Sequence, residues 1–163
     1  MNKKKIIIIV IAALLVLALA FSTYYIFFAP GDFRRAKWGM TVSQVKSRES
    51  SELMNEEYYS ISYNLDKIEG INFDTTLFYN FDPGPKKLTH VSMGITSNTF
   101  EDKKVARLIS TLEEKYGNPE KSEISEVRYD YKWETDRTRI KIQQLYSYTL
   151  VIYEDVTIPE EEE

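Results

Sequence analysis

No cysteine occurs among the 163 residues. That excludes disulfide staples and an acyl-thioether lipid anchor, and it removes the thiolate from any metal site. Histidine is nearly absent: His90 stands alone. A zinc site built from side chains therefore has no spaced ligand set to draw on. The six glycines are scattered at turns and helix ends, so neither a Walker loop nor a Rossmann glycine pattern is present, and no cofactor is expected. Positive charge is also short. Setting aside Lys3, Lys4 and Lys5 leaves 18 Lys and Arg against 25 Asp and Glu from residue 30 on, a net charge of −7. That balance argues against a nucleic-acid binder, which would show a basic stripe.

What the sequence does have is one long apolar run. The 24 residues from 6 to 29, IIIIVIAALLVLALAFSTYYIFFA, carry no charge and follow a basic flank of residues 1–5. As a helix at 1.5 Å per residue they would reach roughly 36 Å, against a hydrocarbon core of about 30 Å. Two readings stay open. Ile6 to Leu17 with Ala18-Leu19-Ala20 fit a cleavable signal peptide, giving a secreted chain cut after Ala20. Phe21 and Tyr24 to Phe28 continue the apolar run past that point, and Tyr24 and Tyr25 fall where aromatic rings favour the interface. The expectation is a single-pass membrane anchor, with the N-terminus cytoplasmic and the C-terminal domain extracytoplasmic. A juxtamembrane linker of residues 30–37, a domain of residues 38–158 and an acidic tail of residues 159–163 would follow.

Within the domain, Thr41-Val42-Ser43-Gln44 has the form of a capping box, which predicts a helix from Val42 to Met54. Three strands follow by period-2 alternation: Tyr59 to Leu65, Leu77 to Phe81, and Val91 to Ile95. Val105, Leu108, Ile109, Leu112 and Tyr116 form one helical stripe, with Gly117 as stop and Pro119 beyond it. Three more strands are read at Val127 to Trp133, Arg139 to Ile142, and Tyr148 to Tyr153. The order helix-βββ-helix-βββ predicts an α+β domain, with two helices on one face of a roughly six-stranded antiparallel sheet. Trp38 is expected to staple the helix start to the sheet, and Trp133 to sit in the core.

Phe33-Arg34-x3-Trp38-Gly39-Met40-Thr41-x3-Val45 and Lys115-Tyr116-Gly117-Asn118-Pro119 resemble a pattern of uncharacterised bacterial exported or lipid-anchored proteins. More distantly, Gly39-Met40-Thr41-x2-Gln44-Val45 is similar to the helix start of BamE-type lipoproteins, and the helix-on-sheet design resembles that of the β-lactamase inhibitory protein. The resemblance implies a binding or scaffolding module. The chain departs from those relatives in lacking a lipobox cysteine.

Catalytic chemistry finds little support. His90 with Ser92 on its strand face lacks a nucleophile elbow and an orienting acid, and reads as a surface residue. Carboxylates such as Asp74 and Asp82 lie near turns and read as turn formers. The sheet face away from the helices is expected to gather Tyr58, Phe78, Leu88, His90, Arg128, Lys132, Arg139, Lys141, Val151 and Tyr153. The opposite set, facing the helices, is Tyr59, Leu77, Val91, Tyr129, Ile140 and Ile152. Four basic residues against Asp130 and Glu134, mixed with aromatics, suggest a surface for an anionic partner, an envelope protein or a cell-wall polymer. The candidate binding residues are Tyr58, Phe78, His90, Arg128, Lys132, Arg139, Lys141 and Tyr153; no catalytic or metal residue is assigned. The expected function is a membrane-anchored, extracytoplasmic, non-enzymatic binding or scaffolding module of a bacterial envelope. The alternatives are a hydrolase-like enzyme with an unrecognised site and a structural spacer.

Overall fold

The computed structural model describes residues 11, 13–17, 32–96, 102–125, 128–145 and 147–158, and of 123–125 only the backbone. The first described stretch, residues 13–17, is helical. Among the described residues no helix is long and apolar enough to cross a membrane. This corrects the expected single-pass anchor and the localisation drawn from it. The rest of the apolar run, with Ala18-Leu19-Ala20, Tyr24 and Tyr25, lies outside the described residues, as does the tail of residues 159–163.

The domain is mainly one eight-stranded antiparallel sheet, not a six-stranded α+β layer. Helix α1 (Val42–Arg48) precedes β1 (Leu53–Glu56), β2 (Ser60–Ile68), β3 (Ile71–Phe81) and β4 (Leu88–Thr96). Helix α2 (Lys103–Tyr116) precedes β5 (Glu120–Ser125), β6 (Arg128–Glu134), β7 (Thr138–Leu145) and β8 (Tyr148–Asp155). In space the order is β1-β2-β3-β4-β8-β7-β6-β5, so each half is a four-strand meander and the halves meet at β4 and β8.

The two strands missing from the expectation are the two edges. In β1 every residue is exposed, and β5 reads Glu-Lys-Ser-Glu-Ile-Ser. Edge strands are kept short and charged against unwanted pairing, and a strand with no buried face shows no period-2 signal. Helix α1 is correspondingly shorter than expected. Its capping box forms, with Gln44 N–H reaching Thr41 Oγ1 and Gln44 Oε1 accepting from Thr41 N–H. Glu49 then turns extended at φ −76° and ψ 132°, leaving Val45 as the helix's one buried residue.

A single core lies on one side of the sheet. Val45 of α1 and Val105, Leu108, Ile109 and Leu112 of α2 pack with Ile61, Tyr63, Leu77, Tyr79, Val91, Met93, Ile140, Ile142, Val151, Tyr153 and Trp133. Phe33 and Ala36, from the stretch expected as a linker, join this core together with Trp38 and Met40 just before α1. Trp38 Nε1–H donates to Thr138 Oγ1 on β7 at 3.1 Å, and Gly39 N–H and Met40 O pair with the Leu88 backbone.

Three phase assignments are corrected. Leu88 points into the core because the register shifts between Asn80 and Phe81, and such a bulge turns the following side chain to the other face. On β8, Val151 and Tyr153 face the core, opposite Met93 and Val91, while Ile152 faces outward opposite Ser92. Tyr59 precedes its strand and stays exposed.

One buried ion pair ties the segment before α1 to the sheet. The Glu49 carboxylate, 3% exposed, receives Arg34 at 3.2 Å and accepts a hydrogen bond from Tyr79 Oη at 2.6 Å. Burial alone would raise this carboxyl, but the bonds from Tyr79 and Ser51 together with the Arg34 charge hold it below its ordinary 4.5. Its contribution to stability is therefore complete above the unfolded value and is lost as pH falls through the lowered one. Tyr79→Phe is expected to cost about 1.5–3 kcal/mol at pH 7, the range for a hydrogen bond to a charged group. In urea unfolding, that deficit should shrink as the pH is lowered below 4. A deficit that does not change with pH would show that Glu49 is not its source.

Candidate functional site

Because both helices cover one side of the sheet, the other side has no covering element among the described residues. Strand pairing fixes which residues share that outer face. One row runs Ser60, Asn80, His90, Glu154, Arg139, Glu134; the next runs Ser62, Phe78, Ser92, Ile152, Lys141, Lys132, Glu120. A third runs Asn64, Thr76, Gly94, Leu150, Gln143, Asp130, Ser122.

Six of the eight candidate residues meet here: Phe78, His90, Arg128, Lys132, Arg139 and Lys141. Two do not. Tyr153 is 2% exposed on the core side. Tyr58 lies in the β1–β2 connection at one end of the sheet, with Lys86 Nζ 3.5 Å above its ring.

Each of the four basic residues on this face stands against a carboxylate. Arg128 makes a two-pronged contact with Asp130 at 3.1 and 2.9 Å. Arg139, only 8% exposed, reaches Glu134 at 2.8 Å and Glu154 at 3.6 Å. Lys141 meets Glu154 at 2.8 Å, and Lys132 stands directly opposite Glu120 on β5. Glu154 and Glu120 were absent from the sequence reading of this face: one because the phase of β8 was inverted, the other because β5 gave no signal. With them, the four basic residues face four acidic ones, and the expected positive field disappears.

What remains distinctive is apolar. Along β8, Tyr148, Leu150 and Ile152 share the outer face, and Ser92 of β4 separates Ile152 from Phe78. Phe78 and Tyr148 are each 41% exposed. The Tyr148 ring lies across Gly94, where a side chain of any size would collide with it, so the missing Cβ of β4 creates the bed for the ring. The apolar strip is flanked by Asn80 and His90 on one side and by the ion pairs of β6 and β7 on the other. The run Leu150-Val151-Ile152-Tyr153 carried the signal: apolar residues at both parities mean apolar groups on both faces.

His90 is half-buried in this face, with Nδ1 3.2 Å from Thr89 Oγ1. Burial pushes its pKa down, partly offset by the Glu154 charge. Ser92 is its neighbour along the same face. Among the described residues no group of three or more His, Asp or Glu is placed to hold a metal ion.

The lowered His90 pKa sets a pH dependence. The unfolded chain takes up the proton near pH 6.5 while the folded one resists it, so stability should fall as pH drops through that value. Between pH 7.5 and 5.5 the urea midpoint of the wild type should decline more than that of His90→Asn. Equal declines would assign the effect to other groups.

No protein family, curated protein or solved structure matches this chain.

Proposed function

We propose that this domain is a binding or scaffolding module rather than an enzyme, and that it meets a protein partner through the outer face of its sheet. The observation that carries this reading is the strip of Phe78, Ile152, Leu150 and Tyr148, lying on a face that both helices leave open. An apolar centre with a polar surround is the anatomy of a protein interface. Aromatic anchors such as Phe78 and Tyr148 are the residue types that concentrate binding energy.

The ion pairs on β6 and β7 support a protein over an anionic polymer. A polymer would need positive charge in excess, whereas Arg128, Arg139 and Lys141 already face carboxylates at 2.8–2.9 Å. Matched charges in a rim fix orientation and exclude wrong partners while contributing little net attraction. The polar groups of the face are engaged with one another across the strands and do not converge on a point where a reacting atom could sit.

The test is site-specific photocrosslinking in cells that make the protein. A photoreactive residue at Phe78 or Tyr148 should give a discrete covalent adduct; one at the exposed Arg107 or Glu114 of α2 should not. Once the captured partner is purified, Phe78→Ala should weaken its binding by about tenfold or more. The same variant should change folding stability by no more than about 1 kcal/mol, because the side chain is substantially exposed. Adducts from α2 with none from Phe78 or Tyr148 would place the interface on the helical side.

A further inference from the structure

The side of the sheet that carries the helices is not fully covered either. On β6, Tyr129, Tyr131 and Trp133 alternate onto that side, and of the three only Trp133 is fully buried. Tyr129 and Tyr131 stay half-buried on the floor of a groove between α2 and the edge strand β5. The groove holds about 900 Å³, the upper end of the range for small-molecule sites. One wall is the flank of α2 at Asp102, Ala106, Ser110 and Glu113, three to four residues apart and so aligned along one side of the helix. The short side chains of Ala106 and Ser110 leave the space open. Lys121 of β5 forms the other wall, and Asn118 and Pro119, in the turn from α2 to β5, close one end.

The floor is aromatic and fixed from below. Tyr131 stacks on Trp133 with the rings 15° from parallel and 6.3 Å apart, and Trp133 Nε1–H donates to Gly117 O at 2.9 Å. Lys121 stands opposite Tyr131 in the strand register. Its Nζ lies 4.9 Å from the Tyr129 ring centre and 5.4 Å from that of Tyr131, so both rings hold the ammonium on the groove side. The charges of the lining cancel: Lys103 and Lys121 stand against Asp102 and Glu113. An ion entering the groove meets repulsion as well as attraction, and an apolar body would strip water from four charged groups. A hydroxyl suits all of them, because it donates to a carboxylate, accepts from an ammonium and does either with Ser110 and Asn118. The tyrosine rings, whose faces are negative, call for flat C–H surfaces. A pyranose ring offers both. We propose that this groove binds a neutral oligosaccharide, its sugar rings lying on Tyr129 and Tyr131 and its hydroxyls bonded by Lys121, Asn118 and Glu113. The site is on the opposite side of the sheet from the proposed protein interface and does not rest on it.

Chitotriose and cellotriose are the probes, titrated at millimolar concentration into the isotope-labelled full-length protein and followed by NMR. At least one should give saturable shifts at Ala106, Ile109, Tyr129 and Tyr131, with Phe78 and Tyr148 on the outer face unmoved. Its affinity should be the same at low and high salt, since a neutral ligand carries no charge to screen. Tyr129→Leu should weaken it about tenfold, because the aromatic face is lost, whereas Tyr129→Phe should retain it. Lys121→Ala, at an exposed position where the fold tolerates the change, should weaken it severalfold. Absence of saturable shifts with both sugars would overturn the proposal, as would shifts confined to the outer face or an affinity that falls steeply with salt. An affinity unchanged by Tyr129→Leu, or by Lys121→Ala should the first variant fail to fold, would also overturn it.

Discussion

The pairing of β4 with β8 is the interaction on which the rest of the structure depends. Seven residue pairs, from His90 with Glu154 to Thr96 with Tyr148, join two four-strand meanders into one sheet. Each meander alone has one helix and half a hydrophobic face. Joined, they place Val91, Met93, Val151 and Tyr153 at the centre of a single core beneath both helices. The same pairing gathers Phe78, Ile152, Leu150 and Tyr148 onto one continuous outer surface. Core and candidate interface are thus two faces of one set of backbone hydrogen bonds.

That arrangement creates a covering problem. Eight strands present a wide apolar face, and the two helices supply only 7 and 14 residues to cover it. The segment before α1 supplies the remainder. Phe33, Ala36, Trp38 and Met40 are buried, with Trp38 held to β7 through Thr138 and Asp32 held to Arg137. Arg34 and Tyr79 meet on Glu49, so the cover is fastened by directed polar contacts as well as by apolar burial. Beside α2 the closure is still incomplete, and the groove floored by Tyr129 and Tyr131 occupies the gap.

The sequence was most legible where burial is one-sided and regular. The α2 stripe is buried at Val105, Leu108, Ile109 and Leu112, and the capping box at Thr41 forms. It was least legible where burial imposes no pattern. Edge strands β1 and β5 have no buried face to alternate with, so Leu53 and Met54 were absorbed into α1. Strand β8 is apolar at both parities, so alternation could not choose between Val151 and Ile152. That ambiguity sent Glu154 to the wrong side and, together with Glu120 on the unread β5, accounts for the positive charge that the outer face does not have. At Leu88 a bulge broke the count, and a backbone irregularity of that kind has no side-chain signature. The groove was invisible for a different reason: Glu113, Lys121, Tyr129 and Gln144 come from four separate elements of the chain.

The account stands or falls on the halves forming one sheet through β4 and β8. Amide hydrogen exchange on the full-length protein tests this directly, because exchange of the most protected amides reports the opening of the central structure. The amides of β4 and β8 are predicted to be among the slowest to exchange, and those of the edge strands β1 and β5 among the fastest. Exchange at β4 and β8 as fast as at β1 and β5 would contradict the pairing, and with it both the common core and the continuous outer face.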